Sequence, residues 1–164
     1  MNESGTPAVQ FDERFMAEAL KEAAKGFSDK EVPVGCLIVH DGIIIGRGFN
    51  RTESLRDPTA HAEILAITAA SEHLSSWRLN GCTAYCTIEP CAMCAGALVL
   101  ARMERLVFGT FDPKFGACGS VFNIVQEPRL NHRMMVSSGI LKEDCAAMMQ
   151  EFFKKMRGKD DARQ

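Results

Sequence analysis

Two short segments of the 164-residue chain carry residue types capable of metal chemistry, His61-Ala62-Glu63 and Pro90-Cys91-Ala92-Met93-Cys94. Zinc takes imidazole and thiolate ligands, and a catalytic zinc keeps three protein ligands and leaves the fourth tetrahedral position to water. His61, Cys91 and Cys94 match that count. Cysteines three apart in the first turn of a helix face the same way, and the positive end of the helix dipole favours their thiolates. Glu63, two residues past the histidine, is placed to take a proton from zinc-bound water, which makes it a candidate general base. A structural zinc would instead need a fourth ligand, for which Cys36, Cys82, Cys86 or His73 could be nominated. A redox dithiol would need neither His61 nor Glu63. Outside the pair in Cys-x-x-Cys spacing, Cys36, Cys82, Cys86, Cys118 and Cys145 read as small apolar fillers.

The elements that must hold these residues follow from hydrophobic period and turn chemistry. Apolar Phe15, Ala19, Leu20, Ala23 and Phe27 recur at helical spacing over residues 12–27, with Gly26 as a stop signal. Short β-branched runs at 34–40 and 43–48 flank Asp41-Gly42, a pair suited to a two-residue hairpin turn. After the polar stretch 50–57, Pro58 and Thr59 signal a helix over 60–74, which puts His61 in its first turn. A strand at 82–89 runs into Pro90, which can open a helix over 91–102. Strands at 106–110 and 134–138 precede a closing helix at 142–157, with Cys145, Met148, Met149, Phe152 and Met156 on its apolar face. The helical methionines are expected in the core rather than on a binding surface. This order predicts an α/β fold, a mixed sheet of about five strands with helices on both faces. Residues 1–10 and 158–164 read as untethered ends.

Composition narrows the class. A chain of 164 residues with 46% hydrophobic and 24% charged residues predicts one globular domain, with a core spanning about 12–157. Nineteen basic against 21 acidic residues give a net charge of −2, so nucleic acid can be bound only through a local basic patch. The longest apolar stretch, 92–101, is about half of the ~20 residues a membrane helix needs, and the N-terminus lacks a signal-like segment. The odd count of seven cysteines suits a reducing compartment, and the protein is expected in the cytoplasm without a membrane partner.

The two metal-type segments together resemble the signature of the zinc-dependent nucleobase deaminases. Further stretches, Glu31-Val32-Pro33-Val34-Gly35, Asp57-Pro58-Thr59-Ala60, Phe115-Gly116-Ala117 with Gly119-Ser120, Asn131-His132-Arg133 and Phe152-Phe153, are similar to the bacterial tRNA-specific adenosine deaminases. The likeness runs from about Phe15 to Arg157 and is weaker around residues 111–113. It implies a cytidine-deaminase-like three-layer fold, one zinc per subunit, a homodimer, and conversion of the wobble adenosine of an arginine tRNA anticodon to inosine. It also implies that the Asn50 side chain and the Ala62 backbone N–H hold a flipped base, where the residues alone favour a turn role for Asn50.

An anticodon stem-loop carries phosphates and splayed bases, so its partner needs local positive charge and flat side chains. Lys154, Lys155, Arg157 and Lys159 beside Phe152 and Phe153 fit, as do Arg133 after Asn131 and His132, and Lys114 with Phe115. The bland alternative is a solvated helix end whose basic residues complement the dipole. Rival functions are a deaminase of free guanine or deoxycytidylate, and a non-catalytic RNA-binding module with structural zinc. A fused riboflavin-pathway deaminase is expected less, because no reductase domain follows residue 164.

Overall fold

Pro7 opens the first helix, α1 (Pro7–Ser28), and the chain then passes into a hairpin of β1 (Gly35–His40) and β2 (Ile43–Phe49). The fold is a computed structural model that describes residues 7–161, with side chains for 8–158. The hairpin turns on Asp41 and Gly42 at φ 48° and 74°, the double positive-φ turn expected from that pair. A one-turn helix, α2 (Thr52–Leu55), and a longer one, α3 (Ala62–Leu74), follow. Next come β3 (Cys82–Ile88), α4 (Ala92–Leu100), β4 (Arg105–Thr110), a 3-10 turn at Ile124–Gln126, β5 (Met135–Ser138) and α5 (Lys142–Asp161).

Among the described residues the five strands form one sheet in the order β2-β1-β3-β4-β5. β1 is antiparallel to both β2 and β3, whereas β3, β4 and β5 run parallel. The sheet is mixed and has helices on both faces, as the sequence predicts. Side chains alternate between those faces: Cys36, Ile38, Ala84 and Cys86 meet α3 and α4, while Leu37, Val39, Tyr85 and Val107 meet Phe15, Met16 and Ala19 of α1 and Cys145 of α5. Strands covered on both sides read as near-continuous apolar runs, which is why β1 is apolar up to His40 and β3 carries no charged residue. Each large side chain so buried contributes about 1.5–3 kcal/mol.

One polar tie crosses the α1 layer. The Tyr85 hydroxyl donates to Asp12 at 2.8 Å, and Arg105 donates to both Asp12 oxygens at 2.8 and 2.7 Å and to Ser137 at 2.9 Å. Burial and the Asp12 carboxylate push the Tyr85 hydroxyl upward, and the hydrogen bonds to Asp12 hold Arg105 charged against its burial.

Several boundaries differ from the sequence reading. Helix α1 begins at Pro7 rather than 12 and α5 continues to Asp161, so only 1–6 and 162–164 of the expected loose ends fall outside the described residues. Pro7 is a favoured first helical residue, and a single Gly158 costs a helix only about 1 kcal/mol. The polar stretch 50–57 contains α2, held by a residue far off in sequence. Glu31, 1% exposed, accepts hydrogen bonds from the Glu53 and Ser54 N–H groups at 3.1 and 2.8 Å and from the Thr52 hydroxyl at 3.3 Å. Burial alone would raise the Glu31 carboxyl, but these donors outweigh it and hold it below the usual range. Among the described residues no helix is long and apolar enough to cross a membrane.

Candidate metal centre and its groove

Two helix starts are brought together by the sheet. Helix α3 lies directly on β2, where a Cβ at Gly46 or Gly48 would run into the Ala66 or Ala62 carbonyl; glycine alone permits that approach. Helix α4 starts from the end of β3 through Glu89-Pro90. His61 and Cys91 are the capping residues of α3 and α4, with extended backbone and no capping hydrogen bond from their side chains. They therefore stand just before the helices rather than in the first turns, and Cys94 is the third residue of α4. The missing side-chain cap leaves both groups free to act as ligands.

His61 Nδ1 lies 3.6 Å from Cys91 Sγ and 3.5 Å from Cys94 Sγ, and the three ligand atoms fall within 4.8 Å of one another. Tetrahedral zinc with ordinary Zn–N and Zn–S bonds separates nitrogen from sulfur by about 3.6 Å, so this donor set fits the metal. The hydrogen bond from the Cys94 thiol holds Cys91 down to about 4, and the same shared proton pushes Cys94 up. Contact with Cys91 raises His61.

No fourth ligand joins. Among the described residues the trio is the one His/Cys/Asp/Glu group with metal spacing, and His73 is exposed at the far end of α3. Cys36, Cys82, Cys86, Cys118 and Cys145 are all buried, as expected of fillers. Cys36 and Cys86 face each other across β1 and β3 with Sγ atoms 3.6 Å apart.

Glu63 is 3% exposed, and its Oε2 has no hydrogen-bond partner. Desolvation pushes its carboxyl above the ordinary range. A buried polar atom without a partner costs about 1–3 kcal/mol, an expense that a fold retains where the atom meets something other than the fold. Asn50 accepts the Ala62 N–H through Oδ1 at 2.9 Å. The resemblance assigned that N–H to the base, yet here it is engaged with Asn50, and the group left over is the Asn50 amide NH2, a donor.

Val32, Val34, Asn50, His61, Glu63, Ile88, Glu89, Cys91, Asp112, Phe115 and Met149 line a cavity of about 350 Å³. It shares Phe115 and Met149 with a neighbouring cavity of about 500 Å³, which adds Lys114 and Phe153, and that one adjoins a third reaching Arg157. A continuous groove thus leads away from the ligand trio. Met149 is part of its wall, and Met93 and Met156 are 37% and 38% exposed, so the expectation that the helical methionines are core holds for Met16 but not for these. Glu89 and the aliphatic wall Val32, Val34 and Ile88 were missed by sequence reasoning, although Val32 and Val34 lie inside a segment singled out by the resemblance.

The RNA-contact candidates separate. Lys114, Phe153 and Arg157 share the groove. Phe152 does not: it is 6% exposed and packs edge-on against Phe27 at 5.7 Å, because adjacent helical positions point about 100° apart. The Lys155 ammonium sits 4.7 Å over the Phe27 ring and pairs with Glu151 at 3.2 Å. Lys154 is exposed without lining the groove, and the Lys159 side chain lies outside the described residues. Asn131, His132 and Arg133 precede β5, whose start pairs with the start of β4, whereas the trio sits beyond the opposite ends of β3 and β4. A strand length of roughly 17–20 Å therefore separates them from the trio. Asn131 accepts from Arg102 at 2.9 Å and His132 donates to the Met103 carbonyl at 2.6 Å, so both serve the fold.

The family model of the cytidine and deoxycytidylate deaminase zinc-binding region matches residues 9–110. The tRNA-specific adenosine deaminase of Bacillus subtilis (strain 168) is 49% identical over 151 residues, covering 92% of this chain and 94% of that protein. A solved structure from a study of A-to-I editing by tRNA:A34 deaminases at the wobble position superimposes with TM-score 0.80 at 44% identity, covering 82% of this chain and 98% of the other. A more distant one, NE0047 in complex with 2,6-diaminopurine, gives TM-score 0.73 at 26% identity over 86% of this chain and 80% of its own.

Proposed function

Because the chain belongs to the cytidine and deoxycytidylate deaminase family and is a zinc-dependent hydrolytic deaminase, we propose that it converts the wobble adenosine of a tRNA anticodon to inosine, with an arginine tRNA as substrate. The observation that carries RNA over a free base is the continuity of the groove from His61 and Glu63 to Lys114, Phe153 and Arg157. A free purine would need only the inner cavity. An anticodon loop has neighbouring bases and phosphates to fill the rest, and these side chains offer it a flat face and two cations.

His61, Cys91 and Cys94 hold the metal, one per chain. Zinc bound there supplies the Lewis acidity that brings the pKa of water into the neutral range. Glu63 takes a proton from the attacking water, places it on the ring nitrogen beside C6, and delivers another to the departing amine, so that adenosine and water become inosine and ammonia. Its burial suits the role of proton acceptor, since a carboxylate whose pKa is held above its ordinary value takes a proton more readily. Asn50, with Oδ1 occupied by Ala62, presents its NH2 to a ring acceptor of the base, and the Ala62 N–H acts by fixing that orientation. The aliphatic wall of Val32, Val34 and Ile88 gives the ring an apolar surface on that side.

A homodimer belongs to the same reading, because one chain of this size offers limited surface for a whole anticodon stem-loop; light scattering should report two chains, and an editing-competent monomer would remove this part. The decisive experiment incubates the purified protein with total tRNA and sequences for inosine at the wobble position. Ammonia release from free guanine or deoxycytidylate, without tRNA editing, would favour the small-molecule deaminase. RNA binding without ammonia release would favour the non-catalytic module, against which stands the partnerless Glu63 oxygen.

A further inference from the structure

Glu89 is a second buried carboxylate in the wall of the same cavity, and unlike Glu63 it is fully partnered. Its Oε1 accepts from the N–H groups of Cys118 and Ser120 at 3.0 and 2.9 Å, and its Oε2 accepts from the Asp112 N–H at 2.9 Å and the Ser120 hydroxyl at 2.5 Å. All four donors lie between residues 112 and 120. The segment closes tightly on this carboxyl, for a Cβ at Gly116 would collide with it, and the Ala117 N–H donates to the Pro90 carbonyl at 2.9 Å. Within the loop, Asp112 Oδ1 accepts from the Lys114 and Phe115 N–H groups at 3.0 and 3.1 Å. That turn projects Phe115, 70% exposed, over the cavity that holds His61 and Glu63.

We infer that Glu89 is a positioning residue for substrate binding: its carboxylate clamps residues 112–120 and thereby fixes Phe115 as a stacking wall at the mouth of the cavity. Both oxygens must accept. Four donors converge on two oxygens, and an amide in its place would turn an NH2 toward N–H groups that need acceptors. Phe115 itself makes no ring contact among the described residues, in contrast to Phe111, which packs on Phe108 at 5.1 Å. The loop backbone is thus what holds Phe115, and the loop backbone is held by Glu89. A base adjacent to the target can then stack on a preset ring without ordering the loop at its own cost.

The inference rests on the tRNA reading for its substrate and is tested on zinc-loaded protein with an anticodon stem-loop carrying adenosine at the wobble position. Glu89→Gln, Ser120→Ala, Phe115→Ala and the Glu89→Gln/Phe115→Ala double variant are compared by zinc content, hydrogen exchange of peptides covering 112–120, and separate kcat and KM. Glu89→Gln should speed exchange in that loop, keep its zinc, and raise KM by roughly tenfold to a hundredfold while kcat changes little. Phe115→Ala should raise KM in the wild-type background and add little on top of Glu89→Gln. Ser120→Ala, which removes one donor of the four, should act in the same direction by a smaller factor and keeps the test open if Glu89→Gln does not fold. Unchanged loop exchange in both variants overturns the clamp. A loosened loop with unchanged KM, or additive effects of Glu89 and Phe115, overturns the positioning role. Wild-type protein that deaminates no stem-loop overturns the tRNA reading, and the clamp then stands or falls on the exchange data.

Discussion

On the proposed reading, Glu63 and the three metal-holding residues make separable contributions at the scale of single side chains. Glu63→Gln keeps the volume and leaves His61, Cys91 and Cys94 in place, so zinc content and RNA affinity should persist while kcat falls about 10²–10⁴-fold. Loss of zinc in that variant would make Glu63 a ligand and sink its assignment as proton carrier. His61→Ala or Cys91→Ala should lose the metal and lower the melting temperature together, because an ion held by the trio would join the starts of α3 and α4; metal analysis and calorimetry on one sample would check the link. That His61, Cys91 and Cys94 come together was legible in the sequence because donor chemistry is written in local spacing. Exposure is not local: Phe152 and Phe153 are neighbours of one type, yet one is buried against Phe27 and the other lines the groove. Only the packing of α5 on α1 separates them. The partnership of Ala62 with Asn50 was hidden for the same reason, since it depends on how the loop after β2 folds back.

Helices and strands set where those side chains meet. Most elements were legible from period and turn chemistry, including the hairpin at Asp41-Gly42, but α2 was not. Its donors are satisfied by Glu31, more than twenty residues earlier, so no local signal announces a cap. That cap titrates. With the Glu31 carboxyl held below its ordinary value of 4.5, its stabilisation is present above that pH and is lost as pH falls through the lowered folded value. Glu31→Gln should therefore cost about 1–2 kcal/mol at pH 7 and progressively less in acid. Urea unfolding at pH 7 and pH 3 would read the gap, and a gap that widens in acid would contradict the assignment. The glycine contact between β2 and α3 gives a second test. Gly48→Ala must push the first turn of α3 off the sheet, so a loss of about 1–3 kcal/mol with reduced zinc retention is expected. An alanine variant with wild-type stability and zinc would show that the helix can shift freely.

For the molecule as a whole, strand direction decides which charges can serve the groove. Parallel β3 and β4 both end at the metal-ligand side, and the basic candidates divide between that end and the opposite one. Lys114→Ala with Arg157→Ala should weaken stem-loop binding and flatten its salt dependence, since roughly 0.7 counterions are released per neutralised phosphate on single strands. Lys155→Ala, already paired with Glu151 and Phe27, should leave the slope unchanged, and Arg133→Ala should do so within one chain. Titrations in rising salt would distinguish these, and an Arg133 effect as large as that of Lys114 would mean that the RNA surface extends across a neighbouring copy. Net charge could not forecast this division. It fixes the sum at −2, while the topology fixes the address of each charge.

The tie of Asp12 to Arg105 spans 93 residues of chain and has a consequence for biosynthesis. At about 5–20 residues per second, the ribosome needs roughly 5 to 20 s after adding Asp12 before its arginine partner exists. Throughout that interval Phe15, Met16 and Ala19 have at most β1 to β3 to cover them and lack Val107 of β4 and Cys145 of α5, so the nascent helix stays an incompletely covered amphipathic segment open to chaperones. Asp12→Asn should prolong that window of vulnerability by weakening the final latch, and a nascent-chain protease assay would show α1 becoming protected later than in the wild type.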